Sequence, residues 1–256
     1  MTERTTFSSP QKTALVTGAS RRVGAMIAKT LATAGYHVIC HVRHRSAEAD
    51  QLVDELTKAG YRASLSEADL GDASSRSMMM AQIGERHGAL DLLVNNAGAF
   101  SSDRFDDYSE ATLDLHFAIN LKAPIDLARH FARIASSHDP SIVNIVDHRV
   151  LKLTPQHFTY TLSKAALHAA TQTMAQALAP KIRVNALGPG PTLPNPHDGE
   201  TGFRHEAAGV PLKHGVDAKD LAEAVLYLAS ARSVTGILLP VDSGQSIGWK
   251  TPDIFE

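Results

Sequence analysis

In Tyr160-Thr-Leu-Ser-Lys164 a phenol and an amine lie four residues apart, which on a helix puts both on one face, about one turn apart. An ammonium beside a phenol favours phenolate and is expected to draw the Tyr160 pKa down from about 10 towards working pH. That makes Tyr160 a usable general acid. Thirteen residues upstream, closing the apolar run Ile142-Val-Asn-Ile-Val146, stands Asp147. A carboxyl close to a phenol and an ammonium can supply or relay a proton, its pKa set by the group of charges rather than by itself. An ionised carboxylate would repel an oxyanion forming on a carbonyl. It suits a substrate that must receive a proton on nitrogen.

Such residues need a scaffold that carries them to one place. Short apolar runs at 13–17, 37–42, 62–67, 90–95, 141–146, 182–187 and 238–241 alternate with helical stretches at 23–34, 46–59, 73–87, 109–136, 159–179 and 219–229. Strands separated by helices predict βαβ units, hence an α/β, Rossmann-type, doubly wound parallel sheet of about seven strands with helices on both faces. Pro180 is expected to end the helix that carries Tyr160. The segment 188–215, rich in Pro and Gly, reads as an extended irregular stretch and, near 190–215, as a substrate lid. One domain, 12–256, is expected behind a flexible tail at 1–11.

The balance of 25 basic and 27 acidic residues offers no electrostatic footprint for nucleic acid or an anionic membrane. There is no run of eighteen apolar residues, so no membrane span is expected. A lone Cys40 fits a reducing compartment, and a cytoplasmic location is expected. His37, His41 and His44 flank a strand with no Cys or carboxylate cluster nearby, so no metal site is expected.

Thr17-Gly18-Ala-Ser-Arg-Arg22-Val23-Gly24 follows the first strand and opens a helix. Strand, tight turn and helix start place backbone N–H groups and the positive helix end against a pyrophosphate. The second strand ends in His41-Val-Arg43-His44-Arg45-Ser46 with no acid before Glu48. An acid there would bind the ribose hydroxyl of NAD; two Arg, His residues and a Ser suit the 2′-phosphate of NADP.

These segments, with Asp69-Leu70, Asn95-Asn96-Ala97-Gly98, Asn120 and Arg183-Val-Asn-Ala-Leu-Gly-Pro189-Gly190, occur in the order and at spacings that resemble the short-chain dehydrogenase/reductase family over nearly the whole chain. The resemblance implies that Asp69 and Leu70 meet the adenine, and that Asn96, Ala97 and Gly98 line the cofactor. It further implies that Pro189, Gly190 and Thr192 flank the nicotinamide and that Asn120 holds a water beside Lys164. That family normally has Ser at the position of Asp147 and Gly at that of Arg22. Here Arg22, the triplet His44-Arg45-Ser46, Phe100 and Asp147 look like the pteridine reductase branch. There an aromatic at the offset of Phe100 stacks on the substrate and the Arg touches both pterin and phosphates. Asp198 and Glu200 could meet the cationic edge of a pterin. The implied activity is NADPH-dependent reduction of a pterin C=N bond, of the dihydromonapterin, dihydrobiopterin or dihydrofolate type. A ketoreductase of 3-oxoacyl thioesters or sugars, or a non-catalytic NADP-binding sensor, shares most of these motifs. A homotetramer is the family's usual state.

Overall fold

The computed structural model describes residues 11–194 and 199–249. The expected tail, save Gln11, lies outside these residues, as do Asp198 and its neighbours at 195–197 in the expected lid. Strands β1 (Thr13–Val16), β2 (His37–Val42), β3 (Ala63–Glu67), β4 (Leu92–Asn95), β5 (Ser141–Ile145), β6 (Arg183–Pro189) and β7 (Leu238–Val241) form one parallel sheet. Its order is β3-β2-β1-β4-β5-β6-β7. The helices are α1 (Arg22–Thr33), α2 (Ala47–Lys58), α3 (Ala73–His87), α4 (Glu110–Phe117), α5 (Ala123–Ile134), α6 (Phe158–Leu178), α7 (Gly199–Gly209) and α8 (Ala218–Ser230).

The period-2 alternation of strand side chains divides the core. Ala14 and Val16 of β1 point to one face with Val94 and Val143, where Ile27 and Leu31 of α1 and Leu221 and Val225 of α8 cover them. Leu15 points to the other, with Leu93, Ile142 and Val184, under Met79 and Met80 of α3 and Leu127 and Phe131 of α5. Both faces of the central strands are therefore dry, which is why they read as apolar runs. After β3 the chain crosses to β4 on the far side of β1. This reversal opens a crevice at the carboxyl ends of β1 and β4, the usual place for a ligand in such sheets.

Two expectations change. The helix expected at 109–136 is broken by a π turn at Ala118–Lys122. Pro124 has no N–H to give the carbonyl four residues back, that of Asn120, so a regular α-helix cannot run through. The stretch 188–215 is not irregular throughout: β6 runs on to Pro189, and α7 occupies its middle.

The turn from β1 into α1 is pinned from β2. Buried His41 accepts from the Gly18 N–H on Nδ1 at 3.3 Å, while Nε2 donates to the Ala68 carbonyl at 3.0 Å. Burial pushes its pKa down to about 4, and a proton on Nδ1 would also break the bond to Gly18. The folded pKa lies below the unfolded value of about 6.5, so this contribution is complete above that pH and is lost as pH falls towards 4. It amounts to about 3 kcal/mol. Unfolding free energies from urea titrations are expected to decline over this window, and His41→Gln, neutral at every pH, should flatten the decline.

Candidate active site

Asp147 follows β5 and opens a short 3₁₀ turn, His148–Val150. Its Oδ1 accepts from the Arg149 backbone N–H at 2.8 Å and from the Arg149 guanidinium at 3.4 Å, and lies 3.1 Å from His148 Nδ1. Its Oδ2 accepts from the Tyr160 hydroxyl at 2.9 Å. Burial opposes the charge, but the His148 hydrogen bond and the Arg149 cation outweigh it and hold the carboxyl at about 2. Asp147 is an anion with one oxygen committed to its own turn and the other to the phenol.

That anion overturns the expected effect of Lys164. Burial, then the charge of Asp147 and the hydrogen bond it accepts, raise the Tyr160 pKa well above 10. The phenol is a neutral donor and not an incipient phenolate. Lys164 Nζ donates to the Ile145 carbonyl at 2.7 Å and lies 5.8 Å from the Tyr160 ring centre. Burial lowers its pKa to about 8, with Asp147 opposing. Phenol, carboxylate and amine thus meet as the spacing required, with their protons distributed differently.

Phe100, in the loop after β4, meets the Tyr160 ring edge-on at 4.8 Å and the His157 ring at 4.6 Å. Asn120 is fully buried in the π turn. Its amide donates to the Ala99 carbonyl and to Ser163 Oγ, each at 3.0 Å, and its Oδ1 accepts from the Ala99 N–H at 2.8 Å. Both side-chain donors clamp protein, so the side chain fixes the loop before Phe100. Among residues that spacing did not reveal, His148 and Arg149 set the charge of Asp147. They lie beside it in sequence, but nothing in their pattern says which way they turn.

At the sheet's switch point a cleft of about 700 Å³ is lined by Gly18, Arg21, Arg22, Val23, Gly24, Arg43, Asp69, Leu70, Asn96, Ala97, Gly98 and their neighbours. Gly18 is left-handed at φ +64°, and a Cβ on Gly24 would fall 2.2 Å from the Gly18 carbonyl oxygen. Asn96 ties the turn down through Nδ2 to the Thr17 and Gly18 carbonyls. A narrow glycine turn, a helix start and three arginines fit the phosphates of a dinucleotide. Gly98 lines the cleft, and a Cβ on it would lie 3.3 Å from Asn120 Oδ1 and 3.8 Å from Lys164 Nζ.

Not every expected cofactor residue faces this cleft. Arg43 does, pairing with Asp69 at 2.9 Å. Arg45 instead pairs with Asp50 at 2.8 Å, Ser46 caps α2 through the Ala49 N–H, and His44 lies 3.8 Å from Glu67. Arg22, left-handed at φ +54°, lines the cleft and donates to the Pro194 carbonyl at 3.0 Å. At the end of β6 the Pro189 carbonyl lies 3.1 Å from His148 Nδ1, and beyond it Thr192 donates to the Gly190 carbonyl at 2.9 Å. A Cβ on Gly190 would sit 2.5 Å from Asp242 Cα, so only glycine fits there. Among the described residues no group of three His, Cys, Asp or Glu could hold a metal ion, and no helix is long and apolar enough to cross a membrane.

Residues 18–246 match the family model described as enoyl-(acyl carrier protein) reductase. The structure is similar to that of FolM alternative dihydrofolate reductase 1 from Brucella canis, complexed with NADP. The TM-score is 0.91 at 39% identity, over 95% of this chain and 97% of that one. Oxidoreductase UcpA of Salmonella typhimurium is 32% identical over 92% of this chain and 95% of its own length. The L-xylulose reductase of Mesocricetus auratus is 33% identical over 90% and 95% respectively. With the glycine turn, the strand order and the Tyr160–Lys164 pair in place, the chain belongs to the short-chain dehydrogenase/reductase family.

Proposed function

We propose that this protein is an NADPH-dependent reductase of a pterin C=N bond, on a dihydropterin of the monapterin, biopterin or folate type. The observation that carries the reading is the ionised Asp147 carboxylate hydrogen-bonded to a neutral Tyr160. The similarity to an alternative dihydrofolate reductase complexed with NADP supports it. NADPH, when bound, supplies the hydride. Gly18, Arg22, Val23 and Gly24 would hold its pyrophosphate, Arg43 its 2′-phosphate, and Asp69 and Leu70 its adenine. Asn96, Ala97, Gly98, Pro189, Gly190 and Thr192 would line the rest. Phe100 would stack on the flat substrate, an arrangement worth about 0.5–1.5 kcal/mol.

Tyr160 is the proton donor in this reading. Its hydroxyl turns from Asp147 Oδ2 to a ring nitrogen and protonates it ahead of hydride transfer, so that the exposed anion faces an iminium centre. On a ketone the same anion would face a developing alkoxide. Lys164 keeps a positive charge beneath the phenol, which steadies it once its proton has left, and Asn120 keeps the loop bearing Phe100 in place. A homotetramer accompanies this reading, and light scattering that finds only monomer would refute it.

The test is NADPH oxidation across a panel of dihydropterins and ketones. The likeness to L-xylulose reductase makes sugar ketone reduction the competing result. Dihydropterins are expected to be consumed faster. Asp147→Ser should lower their turnover about 10²–10⁴-fold and leave NADPH affinity nearly unchanged; full activity in that variant would overturn the reading.

The pH profile should lose activity as pH rises through about 8, where Lys164 gives up its proton. Tyr160 stays protonated throughout that range. Because Asp147 raises the Lys164 pKa, Asp147→Ser should move this limb to lower pH, and Lys164→Arg should remove it.

NADPH is expected to be preferred to NADH. Arg43→Ala, which deletes a charge-assisted hydrogen bond, should reduce that preference about 10–100-fold. Equal use of both cofactors by the wild type would contradict the 2′-phosphate assignment.

A further inference from the structure

Helix α6 carries Tyr160 in its first turn, yet it starts without a cap of its own. The residue before it, His157, is left-handed at φ +53° and makes no capping hydrogen bond through its side chain. The first N–H groups of a helix have no partner within it and need one from elsewhere. They find it on Asp103, more than fifty residues earlier. The Asp103 carbonyl accepts from the Phe158 N–H at 3.3 Å, and Oδ1 accepts from the Thr159 N–H at 3.1 Å. Oδ2 accepts from the Thr159 hydroxyl.

The same hydroxyl binds a third segment. His116 Nδ1, from α4, lies 2.7 Å from Thr159 Oγ1. Since the hydroxyl proton goes to Asp103, His116 must donate through Nδ1, which leaves Nε2 bare. That atom is buried and has no hydrogen-bond partner, and burial holds the imidazole below its ordinary pKa, in the neutral form. Its ring stands 5.9 Å from that of Tyr160. Thr159 and His116 are fully buried and Asp103 nearly so, so water does not compete for these bonds.

We infer that Asp103 is a positioning residue for Tyr160: by capping α6 from the loop that also bears Phe100, it fixes the phenol and the aromatic wall at one spacing. The inference rests on Tyr160 being the proton donor. A cap from within α6 would hold the helix equally well but would leave the Phe100 loop tied to α6 on its Ala99 side alone, through Asn120. With Asp103 as the cap, Phe100 stands only three residues from the point where its loop is tied to α6.

Thr159→Val removes the shared hydroxyl and keeps the N–H and the side-chain shape. Turnover is expected to fall about 10–100-fold, the cost of a misplacement near 1 Å, with the KM for NADPH nearly unchanged. Thr159→Ser, which returns the hydroxyl, should recover most of the rate. In a crystal structure of the Val variant, the Tyr160–Asp147 hydrogen bond and the edge contact of Phe100 should be lost while the Gly18–Gly24 turn stays in place. Wild-type turnover in Thr159→Val, no rescue by Ser, or an unmoved Tyr160 and Phe100 would each overturn the inference. If Thr159→Val does not fold, Asp103→Asn, which replaces one of the two acceptor oxygens, carries the same expectation. A wild type inert towards every dihydropterin would refute the substrate reading, and the structural comparison would then decide the positioning role alone.

Discussion

The buried carboxylate of Asp147 is the constraint around which the site is arranged. An ion of this kind removed from water costs several kcal/mol unless donors surround it. Here the donors come from its own turn: the Arg149 N–H and guanidinium and the His148 ring. They leave one oxygen for Tyr160. Burial and this anion together keep the phenol neutral, and the same charge supports the positive charge on Lys164. The Lys164 amine in turn spans from α6 to the last carbonyl of β5 at Ile145. Helix and strand end are locked by the groups that would do the chemistry, so the catalytic geometry and the local packing are one set of contacts.

Both halves of the site sit where the sheet reverses direction. The cleft for a dinucleotide is built from the ends of β1, β2 and β4, the proton-transfer group from the end of β5 and the first turns of α6. Asn120 joins the two through the loop after β4, because its amide grips Ala99 on one side and Ser163 on the other. The π turn that presents Asn120 arises from Pro124. Such turns recur at functional sites since they re-aim one residue without ending the helix.

The parallel sheet was legible because buried parallel strands must be apolar on both faces and the helices between them must not be. The glycine turn and the basic end of β2 were legible for the same reason: each is a local pattern whose meaning depends on the strand before it. What escaped was what depends on distant or directional contacts. The lowering of the Tyr160 pKa followed from Lys164 considered alone. It failed because burial of the phenol, and then the opposite charge of Asp147 hydrogen-bonded to it, raise the pKa instead. Arg45 and Ser46 read as phosphate ligands by type and place, yet in the fold one answers Asp50 and the other caps α2. The roles of His148 and Arg149 could not be read because adjacency in sequence does not fix side-chain direction. The break at 118–122 could have been read from Pro124, whose missing N–H is a covalent fact.

Arg22 shows how such a site departs from local rules. Its backbone is left-handed, a conformation that costs a residue with a Cβ about 1–2 kcal/mol and glycine almost nothing. The family's usual glycine would remove that cost. An Arg held there puts a fixed cation at the mouth of the helix, where the first N–H groups already favour an anion, and its guanidinium also reaches the Pro194 carbonyl in the segment after β6. One side chain therefore adds charge to the phosphate cradle and ties the segment after β6 to the turn after β1. A glycine could do neither, and a lysine, lacking the planar fork, could not address a phosphate and a carbonyl with the same geometry. The cost at Arg22 is set against the hydrogen bond its guanidinium makes to Pro194, at the cleft and not in the core.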